Sequence, residues 1–302
     1  MALGSGGPEQ FGQRSGKSEA EIQRLVRGAL DLGINLFDTS PGYGESELIL
    51  GRALQGVPRD RFLVSTKVVV DDAAYGDVAA PPEQVVSTID ASLQRLQLDT
   101  IHVLFLAGWP KPVSYDRIVA DTIPVLRRLQ EQGKFRFLSA SEKSAYDGEH
   151  EYLARGLRDD LFDSVVVAYN MINQSAEREV LPLCQANNAG SHAIFAVRRL
   201  FTDNARIQET LAELKRKAVV GSEEIADDDP FGWLPDDAPP TLVSAAYKFC
   251  LSNPAVSTVI TGPSHLAQLT ENVAAATGSP LPEEHMQRLR HIFGGVTEVI
   301  GN

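Results

Sequence analysis

Three residues in the first quarter of the chain have types and spacing that could do chemistry. Asp38 closes the apolar run Asn-Leu-Phe-Asp, Tyr43 follows in Thr-Ser-Pro-Gly-Tyr-Gly, and Lys67 closes Val-Ser-Thr-Lys. A lone lysine at the end of a strand is ordinarily solvated. Buried beside a carboxylate and a phenol, it takes on a different role. Its ammonium stabilises a developing phenolate, and the carboxylate keeps the ammonium charged and in place. Such a tyrosine can hand a proton to a ketone oxygen as hydride reaches the carbon, or take it back in the reverse direction.

Something must bring the three together. Short β-branched apolar runs recur along the chain at 34–37, 62–68, 101–106, 135–138, 164–168, 193–197 and 257–261, with a truncated-looking first strand at 2–4. Amphipathic segments separate them. One runs from Glu19 to Leu32, opened by a Ser18/Glu21 capping box and stopped by Gly33; Pro82 to Leu96 and Tyr115 to Gln132 are equally periodic. Near-continuous apolar strands are buried on both faces, which implies a parallel sheet wrapped in helices. Eight strands with seven or more helices predict an α/β fold, a (β/α)8 TIM barrel in one domain over residues 1–302. A doubly wound open sheet would want a Gly-rich phosphate loop after its first strand, and Gly4, Gly6 and Gly7 do not form one. The stretch 219–240, rich in acidic residues, Pro and Gly, reads as a long loop over the barrel mouth, with Trp233 either touching substrate or pinning the loop down.

The 302 residues are 43% hydrophobic, enough for a sizeable core, and carry 28 basic against 40 acidic side chains, a net charge of -12. That surface repels nucleic acid and anionic membrane, so the expected partner is a small molecule. Cys184 and Cys250 lie far apart, match no zinc spacing and read as reduced core residues; no metal site is expected. The N-terminal stretch lacks a basic region followed by an apolar one, and no apolar run reaches ~18 residues, so a soluble cytoplasmic protein is expected.

Asp-Thr-x-x-x-Tyr-Gly after one strand and Ser-Thr-Lys ending the next resemble the active-site signature of the aldo-keto reductases. Gly-Lys-Phe-Arg-Phe-Leu-Ser-Ala-Ser at 133–141 and the run Val259 to Asn272 are similar to further segments of that family, in the manner of its sugar dehydrogenases. The resemblance implies Tyr43 as proton donor and acceptor, Lys67 as its tuner and Asp38 as the residue that orients Lys67. It also implies a histidine at the end of the fourth strand, to steer the substrate carbonyl. That strand reads Ile-His-Val-Leu-Phe-Leu-Ala-Gly-Trp, placing Ala107 there, or Gly108 if the register slips. His102 lies about 16 Å earlier along the strand and on its other face, too far to substitute. The remaining histidines belong mostly to helices or loops, with no reason in their motifs to enter the site. Three readings stay open: an inactivating replacement, a reductase working with Tyr43 and Lys67 alone, or non-redox chemistry (a lyase, an isomerase or a silent binding protein) on the same fold.

The resemblance further implies NAD or NADP extended across the mouth. Ser141 would hold the carboxamide; Glu142 stands where the family has Asn, and Val166 where it has Gln, which leaves that pocket incomplete. Tyr169 and Asn170 read as packing. Arg198 or Arg199 could meet the pyrophosphate. Glu271 and Asn272 match the adenine-binding positions, while Gly262, Ser264 and Gln268 stand where cations would meet a 2′-phosphate. The lack of charge leans toward NAD. Phe105, Trp109 and Tyr75 are candidate substrate walls, with barrel filling the alternative for Phe105, and a sugar, sugar lactone or polyhydroxylated compound is the expected substrate.

Overall fold

The computed structural model describes residues 1–2, 18–69, 80–109, 115–142, 147–197, 200–221, 224–227, 229–234 and 242–297, with the backbone alone for Val69, Gly108 and Trp109. Arg198, Arg199 and Tyr75 lie outside the described residues, as does the side chain of Trp109.

Seven parallel strands form one sheet in chain order: β1 (Leu36–Asp38), β2 (Leu63–Val69), β3 (Ile101–Trp109), β4 (Phe135–Glu142), β5 (Ser164–Ala168), β6 (Gly190–Ile194) and β7 (Thr258–Val259). The two edges meet through the first residues of the chain. Asp38 N donates to Met1 O at 2.8 Å, Ala2 N donates to Thr261 O at 2.8 Å, and Ala2 bridges Asp38 in parallel. This segment is the eighth stave of a (β/α)8 barrel. Helices α1 (Glu19–Asp31), α2 (Ser46–Leu54), α3 (Pro82–Leu96), α4 (Tyr115–Arg117), α5 (Ile123–Glu131), α6 (Glu151–Arg158), α7 (Val180–Ala186), α8 (Asn204–Arg216), α9 (Leu242–Ser252), α10 (Leu266–Thr277) and α11 (Glu283–Phe293) follow in turn. A π-helical turn at Ile118–Thr122 joins α4 to α5. The Ser18/Glu21 capping box forms as its spacing predicts.

Alternation along the strands sorts the apolar residues into two clusters. One lies between sheet and helices. The other, inside the barrel, consists of Val103, Phe105 and Val166 with Ile194 against them. Register carries the inward face around: Lys67 pairs with Phe105, Phe105 with Ser139, and Ser139 with Ser164. Much of the lining is therefore serine, a pattern that alternation of apolar residues alone does not reveal.

Several strands run further than the apolar runs suggest. β3 continues through Ala107 to Trp109 and β4 through Ser141 to Glu142, with a register shift where Ala107 gives way to Trp109. β6 corrects the expected span 193–197. It starts at the polar Gly-Ser-His, because His192 faces the serine-lined interior, and stops before Phe195, whose left-handed φ of 65° breaks the ladder.

Close helix packing fixes the loop that carries Tyr43. At Gly51 of α2, a Cβ would lie 2.7 Å from the carbonyl oxygens of both Arg95 and Leu96 at the end of α3. Gly51→Ala should therefore cost about 1–3 kcal/mol of overpacking, read as a lowered thermal midpoint, despite alanine's better helix propensity. The stretch around Trp233 packs on α11. The Trp233 ring stacks on His285 at 5.8 Å, and the Arg288 guanidinium lies over it at 4.3 Å, contacts that pin this stretch to α11. Among the described residues, no helix is long and apolar enough to cross a membrane.

Candidate active site

Asp38, Tyr43 and Lys67 converge at the C-terminal ends of the strands, where barrels carry their chemistry. The Lys67 Nζ donates to Asp38 Oδ1 at 3.0 Å, Asp38 Oδ2 at 2.9 Å and the Thr39 carbonyl at 2.9 Å. It is also hydrogen-bonded to the Tyr43 side chain, and it lies 4.7 Å from the Tyr43 ring centroid. Burial opposes the charge on Lys67. The Asp38 carboxylate and the Tyr43 hydroxyl outweigh it and hold the lysine above its ordinary pKa, so it stays an ammonium. Asp38 Oδ1 accepts a further hydrogen bond from Ser65 Oγ at 2.9 Å, which fixes the carboxylate from the barrel side.

The loop between β1 and α2 is held at both ends. Tyr43 N donates to Ser40 O at 3.0 Å, Gly42 N to Ser40 Oγ at 3.1 Å, and Thr39 Oγ1 to Ser46 Oγ at 2.7 Å. One residue into α2, the fully buried Glu47 accepts from Thr66 Oγ1 and Arg95 Nε, both at 2.6 Å. Thr66 is the neighbour of Lys67. Glu47 thus ties the tyrosine's helix to the lysine's strand, a link sequence reading missed because it joins residues that no motif pairs.

Ala107 stands one inward step beyond Phe105 toward the mouth, in register with Val69 and Ser141. Phe105 is fully buried, 5.6 Å from the Lys67 ammonium, and fills the barrel. His102 points the other way, accepting Val64 N at 3.0 Å and touching Arg59, where burial and that guanidinium push it down to about 4. His192 corrects the expectation that no other histidine approaches. On β6 it faces the interior, meets the Phe105 ring edge-on at 5.4 Å and binds Ser164 Oγ at 3.2 Å. Burial pushes it down to about 4, so it is a neutral packing group, with the Phe105 ring in contact with both it and Lys67.

The residues singled out for a dinucleotide divide between two places. Ser141 is half-buried at the end of β4. Its neighbour Glu142 is buried, its Oε1 accepting Ala168 N at 2.9 Å and its Oε2 meeting His150 Nδ1 at 2.7 Å. Val166 lines the interior, and Tyr169 is fully buried against Phe249 and bound to Glu177, so it packs as expected. The other described residues among them lie where β7 passes into α10. Ser264 N and Oγ both donate to Gln268 Oε1, at 2.8 and 3.1 Å, and His265 Nδ1 caps Gln268 N at 3.2 Å. Gly262, Ser264 and Glu271 are exposed, whereas Asn272 is buried and donates to Thr261 Oγ1 at 3.0 Å. One aromatic went unnoticed in the sequence. Phe195, half-buried at the C-terminal end of β6, holds its left-handed backbone with its carbonyl bound by Asn170 Nδ2 at 3.2 Å. Strained backbone of this kind tends to gather at functional sites.

Comparison with known proteins agrees with this geometry. The "NADH-specific methylglyoxal reductase" of Escherichia coli is 35% identical over 170 residues, a match spanning 51% of this chain and only 50% of that protein. The "L-galactose dehydrogenase" of Arabidopsis thaliana is 30% identical over 86% of this chain and 79% of its own, and the "D-threo-aldose 1-dehydrogenase" of a Pseudomonas species is 29% identical over 91% and 89%. Among solved structures, a Bacillus halodurans aldo-keto reductase in its holo form superposes with a TM-score of 0.68 at 22% identity, covering 97% of this chain and 92% of that one. A Klebsiella pneumoniae aldo-keto reductase in complex with NADPH gives 0.62 at 19%, covering 91% and 85%. At those identities the two structures speak for the fold alone. The pattern of the "Aldo/keto reductase family" matches residues 2–293, and with Asp38, Tyr43 and Lys67 assembled at the barrel mouth, this chain belongs to that family.

Proposed function

We propose that this chain, an NAD(P)-dependent oxidoreductase by family, interconverts a carbonyl and an alcohol on a sugar-like small molecule, with Tyr43 as the group that gives and takes the proton. The observation that carries this reading is the Lys67 ammonium, shared between Asp38, the Thr39 carbonyl and Tyr43. When bound, the nicotinamide supplies or takes up the hydride. The remaining work falls to the chain's own residues. In reduction the Tyr43 hydroxyl donates to the carbonyl oxygen while Lys67 stabilises the charge left on the phenolic oxygen; in oxidation the same atoms run backwards. Asp38 and Ser65 hold Lys67 still.

The donor set at the mouth fits a dinucleotide. Ser141 offers a hydroxyl to the carboxamide, while Gly262, Ser264, Gln268, Glu271 and Asn272 would form a neutral or acidic cradle for the adenosine end; Arg198, the pyrophosphate candidate from the sequence, lies outside the described residues. The lack of a cation at 262, 264 and 268 favours NAD over NADP. The sugar-like substrate class is supported by the galactose and aldose dehydrogenases among the relatives, and redox chemistry is favoured over a lyase or isomerase because the named relatives are reductases and dehydrogenases. A cytoplasmic location goes with this reading.

The test follows nicotinamide absorbance while NADH or NADPH meets a panel of aldehydes and keto-sugars, and while NAD or NADP meets free sugars. Turnover with at least one pair is expected. Ala107→His should raise it by at least about tenfold, since one oriented donor is worth about 2–4 kcal/mol. Silence from both proteins with every pair would sink the redox reading. Tighter binding of NADPH than NADH by more than about tenfold would overturn the preference for NAD.

A further inference from the structure

Behind Ser141 lies a chain of three buried polar side chains that the chemistry above does not use. Glu142 Oε2 meets His150 Nδ1 at 2.7 Å, and His150 Nε2 meets Ser175 Oγ at 2.7 Å. His150 is completely buried, and Glu142 and Ser175 nearly so. The other Glu142 oxygen accepts Ala168 N at 2.9 Å. This last bond matters because the ladder between β4 and β5 stops at Ser141 and Val166. Beyond it the two strand ends are joined by the Glu142 carboxylate instead of by backbone. His150 meanwhile sits at the entry to α6 in the left-handed region, φ 60°, just after Asp147, which caps that helix by accepting Glu151 N at 3.0 Å and Tyr152 N at 3.1 Å. The contact between Glu142, the last residue of β4, and His150, at the entry to α6, therefore ties together the two ends of the connection that begins one residue after Ser141.

Burial lifts the Glu142 carboxyl above its ordinary range, and the hydrogen bond from His150 offsets only part of that; the same bond lifts His150 against its own burial. Each group depends on the other to be buried at all. With both oxygens bonded inward and its side chain 0% exposed, Glu142 presents no accessible atom to a ligand at the mouth.

We propose that Glu142, His150 and Ser175 form a positioning relay that sets the Ser141 hydroxyl at the nicotinamide end of the cofactor site. This chain would then shape its carboxamide pocket through a buried scaffold and not through a direct contact from residue 142. The inference rests on the reading of Ser141 given under Proposed function.

Calorimetric titration with NADH and, separately, with ADP-ribose, which lacks the nicotinamide, tests it. Glu142→Ala leaves Ala168 N and His150 Nδ1 without partners and should weaken NADH by about tenfold, with ADP-ribose affected less than about twofold. Glu142→Gln can accept from Ala168 N and donate to a neutral His150, so it should recover most of the loss. Ser175→Ala removes only the far hydroxyl, and should show the same selective weakening, about threefold, should Glu142→Ala fail to fold. Wild-type NADH binding in the variants, or equal losses for both ligands, would overturn the relay while leaving the dinucleotide site standing. A wild-type protein that binds neither ligand, nor NADPH, would bring down both readings.

Discussion

Tyr43→Phe is expected to lower kcat by about 10²–10⁴-fold, the range for removal of a positioned proton donor, with dinucleotide affinity unchanged. The expectation follows from what the phenol does and does not support. Its hydroxyl is hydrogen-bonded to the Lys67 ammonium. Its ring is only half-buried and lies 4.7 Å from that ammonium, a contact phenylalanine keeps. The loop is held by hydrogen bonds among Thr39, Ser40 and Ser46 and by Glu47 on Thr66, contacts that do not use the phenolic oxygen. The thermal midpoint should therefore barely move while turnover collapses. Turnover within about tenfold of wild type would show that Tyr43 is not the proton carrier.

Lys67→Met should act in the opposite proportion, striking stability as well as rate. The Asp38 side chain is 6% exposed and the Lys67 side chain 13%. Removing the ammonium strands a buried carboxylate, a change that costs about 3–5 kcal/mol in comparable pairs. Denaturant unfolding of Lys67→Met, Asp38→Asn and the double variant measures it. The double variant should be more stable than Lys67→Met, because no uncompensated charge is left inside. The pH dependence has a definite sign. Lys67 is held above its unfolded value, so its contribution is complete below the ordinary lysine range and is lost only as pH rises through the folded value. Wild type should lose this contribution only in strong alkali, and Lys67→Met should lack that step. An additive double variant would mean that the pair is not coupled.

The sequence was most informative where chemistry is local. Asp38, Tyr43 and Lys67 each stand in a short local motif at or near the C-terminal end of a strand, and the span Pro82–Leu96 reads as a helix from its periodicity alone. Strand ends were less legible, for a tertiary reason. β3 and β4 carry each other past the limit of their apolar runs, and β6 begins on Gly-Ser-His because the interior it faces is polar. That is why His192 was overlooked. The relay at Glu142 was invisible for another reason: its partners lie eight and then 25 residues apart, and only the pairing of β4 with β5 and the left-handed turn at His150 bring them together. Arg198, Tyr75 and the Trp109 side chain, read as ligand contacts, fall outside the described residues.

The small apolar cluster inside the barrel, walled off from the much larger one beneath the helices, has a consequence for how such a protein can change over generations. Most of the apolar packing lies in the outer shell, so replacements among the uncharged residues of the inner lining, a hydroxyl for a methyl or an imidazole for an amide, should disturb the fold less than loss of the buried Lys67 ammonium. Ala107 lies on this lining, in register with Val69 and Ser141, and the lining is the natural place to begin when altering which small molecules the barrel accepts.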